Sequence, residues 1–347
     1  MIRSVVVLAV LAALVAWVLM APTLASEKEL IHVSYDSTRE AYGVINRMFA
    51  DQERAAGRSV AVRQSHGGSS KQARAVLDGL PAHVVSLALG ADLLPLQHVG
   101  LVADSPEALS VPCTSTVVMV VRGGNPRGIR DWDDLARPDV RVIIANPRTS
   151  GGARWGFLAL WGHAASLAAD EPASLRRPRA AVAVLAGNEK ARRFVRAVFG
   201  NVPVLDTSTR AASATFAMRG IGDALVAWEA EAWNLIDENG AERFKIIYPS
   251  RSILAEPPVA LVRRADDDPG GRALAESYVR FLSSPAAQRV FALFRFRPTD
   301  PHTARLFADD LPPLPMFTID EFGGWETAQR TYFGGGGVFD SLDLAGR

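Results

Sequence analysis

Short runs of β-branched and aliphatic residues recur along the chain, separated by longer stretches of helical periodicity. Leu30–Ser34, Ser59–Arg63, Val84–Leu89, Thr116–Val121, Val140–Ala145, Val202–Leu205, Ala224–Trp228, Phe244–Tyr248 and Val259–Val262 read as strands. Their alternation with helix-length segments predicts an α/β architecture with mainly parallel sheets flanked by helices. No internal repeat or low-complexity block is present, which excludes solenoids and propellers.

Proline stands beside an extended run at two places, Ser110–Thr114 before Thr116–Val121 and Leu254–Pro258 before Val259–Val262. A chain that leaves one sheet at the first and returns at the second makes two lobes with a ligand cleft between them. The expected division is 26–114 for the first part of lobe I, 115–254 for lobe II and 255–347 for the second part of lobe I. The Ala-, Arg- and Pro-rich stretch 168–186 reads as a surface insertion between helices.

The first 25 residues stand apart. Arg3 precedes an uncharged apolar run from Ser4 to Met20, and small residues follow at Thr23–Ala25. This reads as a secretory signal, with an uncleaved single-span anchor as the alternative. Either way the remainder works outside the cytoplasmic membrane, in the periplasm.

The 347 residues suggest two globular units at about 150 residues per domain. A 48% hydrophobic and 22% charged composition is that of a folded protein. Lys+Arg 38 against Asp+Glu 37 gives +1, without a block of like charges, which speaks against nucleic acid as a partner. Any charged ligand must be handled locally. With Cys113 as the one cysteine no internal disulfide can form, and its flanks read as buried structure. The six histidines show no metal-ligand spacing, so no metal or other cofactor is expected.

Candidate chemistry gathers where strands give way to helices. Asp36-Ser37-Thr38-Arg39-Glu40 follows the first strand, with Ser37 and Glu40 spaced as a capping box. Ser65 to Arg74 follows the second strand, Thr149 to Trp155 the fifth and Thr207 to Arg210 the sixth. Taken singly, each is an ordinary helix N-cap. Together they place unsatisfied N–H groups and positive helix ends at the carboxyl ends of strands in two lobes, where α/β sheets bind ligands. Four such ends make an anion trap.

Ser-Gly-Gly-Ala-Arg-Trp at Ser150–Trp155 and Ser-His-Gly-Gly-Ser at Ser65–Ser69 resemble the sulfate-binding protein family, receptors of bacterial sulfate and thiosulfate uptake transporters. Val33–Glu40, Gln64–Arg74, Asp131–Leu135, Asn146–Trp155, Gly220–Asp223, Ala227–Glu229, Ser252–Val259, Phe317–Glu321 and Phe322–Trp325 are similar to family blocks in family order. The resemblance covers essentially all of 30–340. It implies a two-lobed periplasmic-binding-protein fold of type II, a monomer that delivers its anion to ABC transporter permease subunits in the membrane. Its implied ligand contacts are the main-chain N–H groups of Asp36, Ser69, Gly151, Gly152 and Thr209, the Ser150 hydroxyl and the Trp228 indole N–H. Thr209 stands where alanine is usual, Ser37 where proline is usual, Ser70 where glycine is common and Cys113 where an aromatic is expected; none of these removes a donor. Arg39, Arg154 and Arg210 read as groups that hydrogen-bond the peptide units holding the anion, with plain surface arginines as the alternative.

All the implied ligand groups are donors, and physical chemistry favours such a set. Sulfate is fully deprotonated at neutral pH and presents only acceptors, whereas monohydrogen phosphate keeps a proton that needs an acceptor. Asp36 is the one acidic residue of the set, and its side chain is expected to cap its own helix. An enzyme built on Ser65, His66 and Ser69 lacks a nucleophile elbow and an orienting acid, so no catalytic residue is assigned and His66 reads as a structural histidine. Thiosulfate and, less well, molybdate satisfy the same donor logic as sulfate. A membrane-anchored anion sensor requires that residues 1–25 be retained.

Overall fold

The computed structural model describes residues 27–168, 185–263 and 269–342. The expected leader, 1–25, and most of the expected insertion, 169–184, lie outside the described residues.

Fourteen strands are described: β1 Lys28–Tyr35, β2 Val60–Gly67, β3 Val84–Ser86, β4 Leu109–Ser110, β5 Cys113–Thr114, β6 Val117–Arg122, β7 Val142–Ala145, β8 Leu205–Asp206, β9 Ala224–Trp228, β10 Phe244–Ile247, β11 Ser252–Ile253, β12 Val259–Leu261, β13 Arg297–Pro298 and β14 Met316–Phe317. They build two five-stranded sheets in the orders β2-β1-β3-β12-β4 and β10-β6-β9-β7-β8. Helices flank both, giving the two-lobed α/β fold expected of a type II periplasmic binding protein. Parallel pairs occupy the part of each sheet that feeds the strand-to-helix turns, β1 with β2 and β3, and β7 with β8 and β9. Pairs made by β12, β6 and β10 are antiparallel, so each sheet is mixed. Alternation of strand and helix does not reveal that mixture, because these strands are joined by crossings between the sheets.

The helices that matter for the site are α1 Arg39–Ala55, α2 Ser69–Leu77, α3 Gly90–His98, α4 Gly151–Ala168, α5 Glu189–Gly200, α6 Thr209–Ala217 and α7 Glu229–Asn239. α1 and α5 are strongly amphipathic and turn Tyr42, Ile45 and Phe49, or Val195, Val198 and Phe199, toward their sheets. α4 differs. Trp155, Phe157, Leu158, Leu160 and Trp161 leave it no polar face, and all are fully buried. A helix apolar all round must be covered on both sides. The sheet of β6, β7 and β9 covers one, and Phe317, Phe322, Tyr332 and Phe339 of the C-terminal segment join the same core. Part of the segment after 255 thus also packs against α4, a contact that the expected division into lobes did not include.

The two chain crossings run side by side. Ser115 and Ala255 each donate N–H to the other's carbonyl at 2.9 Å, an isolated antiparallel bridge between the sheets. Other expectations shift for local reasons. The polar run Gln64–Gly67 stays in β2, paired with His32–Tyr35 of β1, because backbone pairing overrides weak strand propensity. The run Val202–Leu205 contributes only Leu205 to β8, since Pro203 has no N–H to give a ladder.

Candidate functional site

Where the two sheets face one another a small cavity of about 120 Å³ is lined by Asp36, Ser69, Ser150, Gly151, Gly152, Thr209 and Trp228, the seven residues singled out from the sequence. Tyr35, Ser37, Gly68, Ala88, Thr149, Thr207 and Ser208 complete the wall. No arginine, lysine or histidine is among them, and Asp36 is the one carboxylate. The volume suits a small ion, well below the roughly 300–1,000 Å³ of drug-sized ligand sites.

Each wall is built by a helix start. Ser69 opens α2 after Gly68, and its Oγ accepts the Ala88 N–H at 2.9 Å, fixing the turn against the end of the β3 strand region. Ser150 precedes α4; its Oγ accepts the Ala153 N–H at 3.3 Å, which leaves the hydroxyl hydrogen to donate elsewhere. Gly151 and Gly152 are the first two residues of α4 and Thr209 the first of α6, positions whose N–H groups have no acceptor within their own helix. Ser208 caps α6 by accepting the Ala211 N–H at 3.2 Å, so the Thr209 N–H remains uncapped. Thr149 Oγ1 donates to the Thr207 carbonyl at 2.9 Å and ties the α4 and α6 turns together.

On the opposite wall Asp36 begins the one-turn helix Asp36–Thr38, which Thr38 steadies by donating Oγ1 to the Tyr35 carbonyl at 2.8 Å. Tyr35, not Asp36, occupies the cap position, and no side-chain cap forms there. The expected Ser37–Glu40 capping box is likewise absent; Ser37 Oγ donates to Glu231 Oε1 at 2.5 Å, across the lobes. Glu231 is buried in the first turn of α7, and desolvation raises its carboxyl above the ordinary glutamate range.

Trp228 ends β9 and is 2% exposed. Its Nε1 is buried and has no hydrogen-bond partner among the described residues. An unpaired buried donor costs about 1–3 kcal/mol. A ligand acceptor in the cavity would offset that cost.

The three arginines divide. Arg154 donates Nε to the Pro147 carbonyl at 2.9 Å and stands 3.6 Å from Asp92 Oδ1, which also accepts from Ser70 Oγ at 2.8 Å. It therefore holds a peptide unit of the α4 turn, as expected. Arg210 instead faces Glu40 of α1 at 3.8 Å and is half-exposed. Arg39 has a buried Nε without a partner among the described residues. His66 is exposed rather than structural, whereas Cys113 is buried as expected.

Sequence reasoning passed over Tyr35, whose hydroxyl is also buried without a partner among the described residues and whose ring lies 5.7 Å from Trp228. It closes a core strand, and nothing in its local pattern separates it from a packing residue. It also passed over the contacts between the lobes, Trp155 Nε1 donating to the Ala88 carbonyl at 2.9 Å among them. Such pairs join residues far apart in sequence. Among the described residues no cluster of three His, Cys, Asp or Glu side chains could hold a metal.

Residues 32–297 match the family described as bacterial extracellular solute-binding protein. The chain belongs to that family. It is 44% identical over 326 residues to the sulfate-binding protein of Salmonella typhimurium, covering 92% of this chain and 94% of the relative. It is 39% identical over 320 residues to the thiosulfate-binding protein of Pseudomonas aeruginosa, covering 90% and 91%. The solved sulfate-binding protein of Mycobacterium tuberculosis superposes with a TM-score of 0.74 at 30% identity, covering 88% of this chain and all of that one. The resemblance carried by the motifs thus extends to whole relatives named for binding sulfate or thiosulfate. No described helix is long and apolar enough to cross a membrane.

Proposed function

We propose that this member of the solute-binding family is an extracytoplasmic receptor that captures sulfate between its lobes and delivers it to the membrane subunits of an ABC-type importer. The observation that carries the reading is the Trp228 indole N–H, buried and without a partner among the described residues at the wall of a cavity otherwise built from helix starts. With the N–H groups of Asp36, Ser69, Gly151, Gly152 and Thr209 and the Ser150 hydroxyl it makes a cage of uncharged donors. Hydrogen bonds to a charged group contribute about 1.5–3 kcal/mol each, so such a set offsets the desolvation of a dianion. The protein acts as a monomer and performs no chemistry; its lobes are 26–114 with the chain from 255, and 115–254, the C-terminal segment covering the second. Residues 1–25 act as an export signal.

Titration calorimetry with sulfate, thiosulfate, molybdate and phosphate tests this. Sulfate should bind and phosphate should fail to compete at neutral pH, because the phosphate proton needs an acceptor. Asp36 is the one carboxylate that could supply it. Equal binding of phosphate would show that this carboxylate reaches the anion and would end the donor-only reading. Tighter binding of thiosulfate would shift the assignment to the thiosulfate branch.

A further inference from the structure

Beside the cavity, a bond between the lobes involves a hydroxyl to which the donor cage gives no role. Ser37 Oγ, on the turn after β1, donates to Glu231 Oε1 on α7. The two residues are 194 positions apart, and Glu231 is 7% exposed. A second pair, Arg210 of α6 and Glu40 of α1, spans the lobes on the same side. Both pairs line a groove of about 420 Å³ between the lobes. The Ser115–Ala255 bridge, by contrast, sits where the chain itself crosses. Opening about that crossing would separate Ser37 from Glu231 while leaving Ser115 and Ala255 together.

We propose that Ser37 and Glu231 form a latch that sets how long the anion is held: the bond forms as the lobes close, keeps the adjoining Asp36 N–H against the ligand, and breaks before release. This rests on the cavity being an anion site. The groups facing the Glu231 carboxyl are Ser37 and Arg210, which favour its ionised form, Asp36 and Glu40, which disfavour it, and the Tyr35 hydroxyl. Burial outweighs the favourable pair and favours the neutral form while the lobes are closed. Opening lets water from the groove reach the carboxyl and favours ionisation. The closed form therefore takes up a proton between the ordinary glutamate range and the raised value. Anion retention is greatest below that interval and falls as pH rises through it.

Stopped-flow displacement of sulfate from the full chain, read by tryptophan fluorescence, tests the latch. Ser37→Ala should release sulfate about tenfold faster with its association rate little changed, as loss of one hydrogen bond to a carboxyl predicts. Glu231→Gln keeps a carbonyl to accept from Ser37; it should keep release slow and flatten the pH dependence of the off-rate. Wild-type release by Ser37→Ala, or an unaltered pH profile in Glu231→Gln, would overturn the latch while leaving the anion site in place. Failure of the wild-type chain to bind sulfate would overturn both.

Discussion

A Cβ added to Gly152 would stand 3.1 Å from Trp228 Nε1 and 2.5 Å from Thr209 Cγ2. Glycine is required here by close approach, since the start of α4, the start of α6 and the indole converge on one point. Gly152→Ala should push these walls apart and misplace at least two donors. The expected loss of sulfate affinity is about a hundredfold by calorimetry. Adding Thr209→Ser removes the methyl in the tighter contact and should recover part of it. Wild-type affinity in Gly152→Ala would show that the three groups do not share the ligand.

The Trp228 indole is tested by removing its donor. Its N–H is buried and has no partner among the described residues. Trp228→Phe should bind sulfate about 1–3 kcal/mol more weakly. Ser150→Ala should weaken binding by a similar amount, but its Oγ also accepts from Ala153, so its unliganded stability should fall. Equal binding by the Trp228 variant would remove the indole from the site.

What could be read from the sequence follows the range of the forces involved. The α4 start was legible because Ser150, Gly151 and Gly152 announce a helix N-terminus locally, and a cap is a local device. The buried stretches β7 and β9 were legible because each is a continuous apolar run. The two-residue strands β4, β5, β11, β13 and β14 were not, since nothing but their partners defines them. Ser37 illustrates the limit at the site. Its spacing from Glu40 is that of a capping box, yet the hydroxyl turns to Glu231, a choice made by packing between lobes. The contact of the aromatic C-terminal segment with the second face of α4 was not legible for the same reason, since that demand is visible only in three dimensions.

Arg297 and Glu229 hold the residue next to Trp228. The guanidinium donates to both carboxylate oxygens, at 2.7 and 2.8 Å, and the Glu229 side chain is wholly buried. Burial raises its carboxyl while Arg297 opposes the rise. Removing one partner of a buried pair leaves an uncompensated charge, at a cost of about 3–5 kcal/mol. Arg297→Ala should therefore lower the urea midpoint substantially. Arg297→Lys, which keeps the charge without the fork, should fall between the two proteins. An Arg297→Ala midpoint equal to that of the wild type would show that water reaches Glu229.

His32 gives the fold a pH dependence of defined sign. It is fully buried in β1, its Nε2 2.7 Å from Ser86 Oγ and its Nδ1 2.9 Å from the Tyr278 hydroxyl. Burial pushes its pKa from 6.5 down to about 3, so the imidazole is neutral in the folded protein. The unfolded chain binds a proton that the native state refuses. Stability from this residue is complete above 6.5 and is lost as pH falls toward about 3. The loss is about 1.4 kcal/mol for each pH unit in that interval. His32→Leu should be less stable near neutrality, because Ser86 and Tyr278 lose a partner, but should lose less on acidification. Urea titrations at neutral pH and at about pH 5, above the range where most carboxylates protonate, isolate the effect. Equal losses in the two proteins would mean that His32 is protonated in the native state.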